Sequence, residues 1–316
     1  VRVHVATAGE TAASAAARDT FIRLAQADTV GAHELDDDPA SSDVLLFVDL
    51  HCHDDDVFQR RLRQHPLVRS HKRKAYVYDQ RDRPVWSLPG IYVCGSPRWA
   101  RRYKLLVGGP YASLTFNDRP VEREPDLLFS FIGSRTHPVR ERILQLRHAR
   151  ALIEDTGAVH FRQLVAEDRP DQARYGETLA RSKFVLCPRG YGPATMRLYE
   201  VLQTGRVPVI ISDEWLPPAG VDWSSATVRV AERDVERIPS ILEALEDDWP
   251  VRSSAAQELA RAFSHARLWH HHASSLETLA ARRGRLVRPW WAQRRLLRYW
   301  AEEAGRVVGY ERTGYA

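Results

Sequence analysis

The run from Pro188 to Glu200, PRGYGPATMRLYE, places two arginines, two glycines and a glutamate within one turn-and-helix length of chain. Arg189 and Arg197 carry planar guanidinium forks that match phosphate oxygens. Gly190 and Gly192 permit a tight turn and close approach of backbone N–H groups to a ligand, with Tyr191 between them and Thr195 just beyond. Glu200 follows Arg197 by three residues, so the two share a helix face. A carboxylate beside a phosphate site does not hold the phosphate. It is suited to accept hydrogen bonds from sugar or ribose hydroxyls, or to pair structurally with Arg197. Ser134-Arg135 and Ser212-Asp213 each follow an apolar run and supply further polar groups at comparable positions.

These residues need a scaffold. Phe184–Cys187 reads as a buried parallel strand, Pro193-Ala194 as the first turn of a helix, Gly205 as its end, and Val207–Ile211 as the next strand. A helix start at Pro193 would add its free N–H groups to the anion site. The rest of the chain alternates in the same way. Val1–Ala6, Val44–Leu50, Lys74–Asp79, Ile91–Cys94 and Leu127–Ile132 read as strands. Ala12–Ala27, Asp56–His65 and Pro138–Ile153 read as helices. This alternation predicts an α/β protein with mostly parallel sheets. The polar segment Arg119-Pro120 to Glu124-Pro125 reads as a domain boundary. In open parallel sheets ligands sit beyond the carboxyl ends of strands, where Ser134-Arg135, Arg189–Gly192 and Ser212-Asp213 all fall.

A second constellation, Asp49-Leu50-His51-Cys52-His53-Asp54-Asp55, follows the Val44 strand. Two histidines at i and i+2 past a strand can face one metal ion, which opens a metal-dependent hydrolase reading of Asp49, His51 and His53. No later series of His, Lys, Glu and Asp at strand ends completes it, and His265 and His270–His272 lie in a helical pattern. The same loop also reads as a helix cap through Asp54 or Asp55.

Composition sets the bounds. At 316 residues and 44% apolar content the chain can bury a large core. With 46 basic and 41 acidic residues it carries no strong field, and no nucleic-acid partner is expected. No run of 18 apolar residues marks a membrane span, and the N-terminus lacks the pattern of a signal peptide. Three widely spaced cysteines, Cys52, Cys94 and Cys187, fit a reducing, cytoplasmic setting. Arginines from Arg282 to Arg298 interleave with Trp290, Trp291, Leu296, Leu297 and Trp300. That pattern reads as a terminal helix packed on the body, or as a peripheral membrane contact.

The stretch from Ser182 to Ser225 resembles the core signature of the exostosin-like, GT47-type glycosyltransferases. The shared elements are PRG, a small-residue turn, RLYE, a glycine, PVIISD and an LP-to-DW segment, with weaker likeness from Leu127 to Ile241. The resemblance implies a GT-B fold: two Rossmann-like domains facing a cleft, with a C-terminal helical tail. Residues 1–124 would form an acceptor domain, 125–283 a nucleotide-sugar domain, and 284–316 a tail packed back on the body. It further implies an inverting transfer from a UDP-sugar to a glycan or small-molecule acceptor. Arg135, Arg189 and Arg197, with N–H groups of Gly190–Ala194, would neutralise the diphosphate without a metal cofactor. Glu200 would hold hydroxyls and Asp213 would orient the donor. The first domain would supply the base, with Asp49 first and His51 second, then Asp79; Asp82 and Arg83 would line the cleft. A non-catalytic nucleotide-sugar-binding partner subunit stays open as an alternative.

Overall fold

Short apolar runs bounded by polar turns become parallel strands, and the amphipathic segments between them become the covering helices. The computed structural model describes residues 1–50, 56–82, 84, 86, 88–112, 123–157 and 170–285. The first sheet contains β1 (Arg2–Ala6), β2 (Glu34–Leu35), β3 (Val44–Asp49), β4 (Ala75–Asp79), β5 (Gly90–Tyr92) and β6 (Leu106–Val107) in the order β2-β1-β3-β4-β5-β6. Every pairing in it is parallel. Helices α1 (Ala12–Gln26), α2 (Asp56–Gln64), α3 (Pro66–Ser70) and α4 (Pro97–Tyr103) connect these strands.

The second sheet, also parallel, contains β7 (Leu127–Gly133), β8 (Ala151–Asp155), β9 (Ser182–Pro188), β10 (Val207–Ile211) and β11 (Val228–Arg229). Its order is β11-β10-β9-β7-β8. Its helices are α5 (Pro138–Leu144), α6 (Pro170–Arg181), α7 (Arg197–Gln203) and α8 (Ile238–Ala244), followed by α9 (Trp249–Ala262) and α10 (His265–Arg285). Two Rossmann-like α/β units in one chain give the GT-B architecture. In each sheet the strand order reverses once, between β1 and β3 and between β7 and β9. Such a switch point opens a crevice at the carboxyl ends of its two strands, which is where ligands bind in this class of sheet.

Three expectations require correction. The helix expected over 138–153 ends at Leu144, and Ala151–Asp155 joins the sheet as β8 beside β7. Arg147 donates to the carbonyls of Leu144 and Leu146 and so closes the helix end. The apolar Leu152 and Ile153 had fitted a helical period as well as a strand. The helix expected to begin at Pro193 begins at Arg197, because Gly190–Met196 stay in an irregular turn in which Gly190 N–H bonds to the Gly192 carbonyl. Finally α10, placed by its position at the end of the second domain, lies across the first. It packs on α1 and β5, Trp269 Nε1 donates to the His33 carbonyl, and Arg283 Nη1 donates to the Ala75 carbonyl. The crossing starts at His265; of the tail expected over 284–316, residues 286–316 lie outside the described residues.

The crossing buries histidines. His272 is fully buried, with its ring 5.4 Å from Phe21 and 5.2 Å from Tyr78. Burial holds its pKa well below the usual value, and burial, with the His270 charge second, lowers His271 to about 4. Both rings are neutral in the fold but take up protons below about pH 6.5 when unfolded. Their contribution to stability is therefore present above pH 6.5 and lost as pH falls toward 4. Thermal unfolding between pH 7.5 and 4.5 should show this loss, and His272→Phe, which keeps an aromatic ring between Phe21 and Tyr78, should make it shallower.

Candidate functional site

The second-sheet switch point gathers cationic groups. Arg189 follows β9, and its backbone N–H bonds to the Ile211 carbonyl at the end of β10. Its Nη1 lies 3.2 Å from Glu214 and 3.7 Å from Glu232. Arg197 opens α7, lies 4.9 Å over the Phe131 ring and donates from Nη2 to the Ile132 carbonyl at 2.5 Å. A third arginine, unforeseen from the sequence, lies beside them. Arg140, on the first turn of α5, is 9% exposed and donates to the carbonyls of Arg189 (2.7 Å), Ser134 (3.2 Å) and Pro188 (3.3 Å). Burial, followed by the neighbouring Arg197 charge, pushes its pKa down to about 9. Two neighbouring guanidinium groups make this a region of positive charge, where an anion would be stabilised. The same environment, burial first and then Arg189 and Arg140, lowers His137 to about 4 and keeps it neutral.

Four buried polar atoms around this crevice have no hydrogen-bond partner among the described residues: Arg189 Nε, Arg197 Nη1, Thr136 Oγ1 and Ser212 Oγ. They come from the ends of β7, β9 and β10 and from α7, and leaving each unsatisfied costs about 1–3 kcal/mol. Gly190 forms the floor: a Cβ there would stand 3.3 Å from Arg140 Nη2 and 3.4 Å from Thr136 Oγ1. Gly192 stands against the first domain, where a Cβ would meet Asp82 Oδ1 and Cys94 Sγ, each at 2.7 Å. The turn therefore lies where the carboxyl ends of the two sheets converge. Tyr191 at its tip is 56% exposed, and Thr195 is half-buried at the approach to α7.

Glu200 lies one helical turn after Arg197, and the two converge on one phenol. Tyr175 of α6 donates to Glu200 Oε2 at 2.7 Å and receives Arg197 Nε at 3.3 Å. Burial, with the Glu200 charge second, holds the Tyr175 pKa well above its usual value, so it stays a donor to Glu200. Tyr175 has no local motif that would have marked it. The opposite face of α7 faces away from the crevice: Leu198, Tyr199 and Leu202 join one core with Cys94, Tyr111 and Ala112 of the first half and with Phe263 and Leu268.

Two expected residues lie apart from this group. The Arg135 side chain is 61% exposed and pairs with Asp155 at 2.6 Å, because β8, not a continued helix, lies beside it. Asp213 is exposed and exchanges hydrogen bonds with Glu232: its Oδ1 accepts from Glu232 N–H and its own N–H donates to Glu232 Oε1, both at 3.1 Å. It ties the end of β10 to the 3-10 turn Glu232–Arg237. On the first sheet, Asp79 is buried in a salt bridge to Arg81, with Nε at 3.0 Å and Nη2 also in contact. Asp49 ends β3 in register with Asp79. His51, Cys52, His53, Asp54, Asp55 and Arg83 lie outside the described residues. Cys94 and Cys187 are buried and free. Among the described residues no helix is long and apolar enough to cross a membrane.

Residues 107–245, from the end of β6 through α8, match the family model of the Exostosin GT47 domain. The match covers less than half of the chain and contains every residue gathered at the second-sheet switch point. An Exostosin-1 homolog of Caenorhabditis elegans is 35% identical over 142 residues, covering 40% of this chain and 37% of that protein. A probable glucuronoxylan glucuronosyltransferase of Arabidopsis thaliana, IRX7, is 48% identical over 73 residues, covering 22% of this chain and 16% of its own length. The chain thus spans well under half the length of these relatives. Among solved structures, Anabaena Alr3699/HepE in complex with UDP aligns over 88% of this chain and 99% of its own, with a TM-score of 0.38 and 13% identity. Most of the first sheet precedes the matched residues.

Proposed function

We propose that this chain is an inverting glycosyltransferase that moves a sugar from a nucleoside diphosphate, UDP, to an acceptor hydroxyl. The observation that carries the reading is the set of partnerless buried donors around Gly190, backed by Arg140, Arg189 and Arg197 at a sheet switch point. A diphosphate supplies the acceptor oxygens and the negative charge that this crevice lacks. Glu200, steadied by Tyr175, is placed to receive ribose hydroxyls. UDP is the nucleotide expected from the exostosin resemblance.

The chemistry then divides between the domains. The acceptor oxygen attacks the anomeric carbon as its bond to the diphosphate oxygen breaks, and the acceptor proton passes to a base on the first domain. Charge developing on the departing diphosphate is met by guanidinium groups already fixed in place, which needs no metal ion. Asp49 ends the strand at the first-sheet switch point and is proposed as the base, with His51 after it in sequence. Transfer measured in excess EDTA should keep its rate. Loss of transfer in EDTA, restored by one added divalent ion, would instead favour a metal-dependent site on Asp49, His51 and His53.

A further inference from the structure

Glu200 has two readings from its spacing, a hydroxyl acceptor or a structural partner of Arg197, and the fold inserts a third group between the two. Arg197 and Glu200 stand three residues apart on α7 with opposite charges, within reach of a direct ion pair. Among the described residues no such pair forms. The Tyr175 hydroxyl stands there instead, accepting from Arg197 Nε at 3.3 Å and donating to Glu200 Oε2 at 2.7 Å. A phenol has one proton to give and lone pairs to receive, so a single hydroxyl serves both neighbours. Its ring also lies beside Arg197: the guanidinium carbon is 5.8 Å from the Tyr175 centroid and 4.9 Å from that of Phe131. Arg197 Nη2 is engaged by the Ile132 carbonyl, whereas Nη1 has no partner among the described residues. On Glu200 the Tyr175 bond engages Oε2 and leaves Oε1 for another donor.

We propose that Tyr175 is a positioning residue whose hydroxyl keeps Arg197 and Glu200 from pairing directly, and so holds Glu200 ready to select a ribonucleotide over a 2′-deoxyribonucleotide. This rests on the donor-site reading above and adds the residue that sets its ribose selectivity. A direct pair would turn the Glu200 oxygens onto the guanidinium, where they could no longer accept from a ribose hydroxyl. It would also draw the Arg197 charge off a diphosphate. With the phenol between them, the arginine and the carboxylate stay apart and serve two different parts of one nucleotide. Discrimination follows because a buried acceptor placed for a hydroxyl is left unpaired by a ligand that lacks it.

The test is a set of calorimetric titrations of the full chain with UDP and 2′-deoxy-UDP. The wild-type protein should bind UDP more tightly by about tenfold or more, the loss of a hydrogen bond to a charged group. Tyr175→Phe keeps the ring beside Arg197 and removes only the hydroxyl; it should bring that ratio to about threefold or less. Tyr175→Leu gives the same reading if the phenylalanine variant does not fold. Glu200→Ala should abolish the preference, and adding Tyr175→Phe to it should change the ratio no further. A Tyr175 variant that weakens both ligands by one factor, with the wild-type ratio intact, would show a merely structural role and overturn the proposal. The levels separate cleanly: an intact ratio in the variant rejects only the role of Tyr175, equal binding of the two ligands by the wild type also rejects Glu200 as the ribose acceptor, and no UDP binding rejects the donor site itself.

Discussion

Arg197→Ala should weaken UDP binding by roughly ten- to a hundredfold, the loss of one charge-assisted contact worth about 1.5–3 kcal/mol. Arg197 is expected to outweigh Arg189, because its Nη1 has no partner among the described residues and its hydrogen-bonded link to Glu200 runs through Tyr175. Arg189 already faces Glu214 and Glu232, so Arg189→Ala should reduce affinity by less. The alanine variant also removes the contacts of Arg197 with the Phe131 ring and the Ile132 carbonyl, so its thermal midpoint should fall too. Calorimetry on the folded variants separates the two effects. Equal UDP affinity in wild type and both variants would remove the arginines from the site.

Asp49→Asn should lower turnover about a hundred- to ten-thousandfold while leaving UDP affinity close to that of the wild type. The separation follows from the fold: Asp49 ends a strand of the first sheet, whereas the proposed donor groups belong to the second. The neighbouring sheet-edge carboxylate, Asp79, is held by Arg81, and Asp79→Asn would break a buried ion pair. That substitution should appear as lost stability of about 3–5 kcal/mol rather than as a clean loss of rate. A folded Asp49→Asn variant with near wild-type turnover would show that the proton goes elsewhere, and His51→Ala would be measured next.

The parts of the candidate site that were legible in the sequence are those encoded locally. Gly190 and Gly192 between strand β9 and helix α7, and Arg197 three residues before Glu200, are fixed by spacing along one turn and one helix face. Contributions that depend on packing between distant segments were hidden. Arg140 reads as a solvent-facing helix arginine, and only the approach of α5 to the ends of β7 and β9 turns it onto three carbonyls. Tyr175 sits in a polar helix with no motif, and its role exists because α6 passes alongside α7. Arg135 lies apart from the cluster for the complementary reason. Its position after a strand was correct, but β8 brings Asp155 beside it and draws the side chain away. The parallel strands with buried, continuous apolar runs were legible, whereas the two-residue strands β2, β6 and β11 are too short to carry a pattern.

The most direct test of a UDP-sugar-dependent transferase with its donor held by arginines is a calorimetric titration of UDP into the wild-type chain with EDTA present. The account predicts saturable binding of one UDP per chain, with a matching rise in thermal midpoint; at 100 times the dissociation constant the added stability is about 2.7 kcal/mol. A folded protein that shows neither heat nor thermal shift with UDP would contradict it.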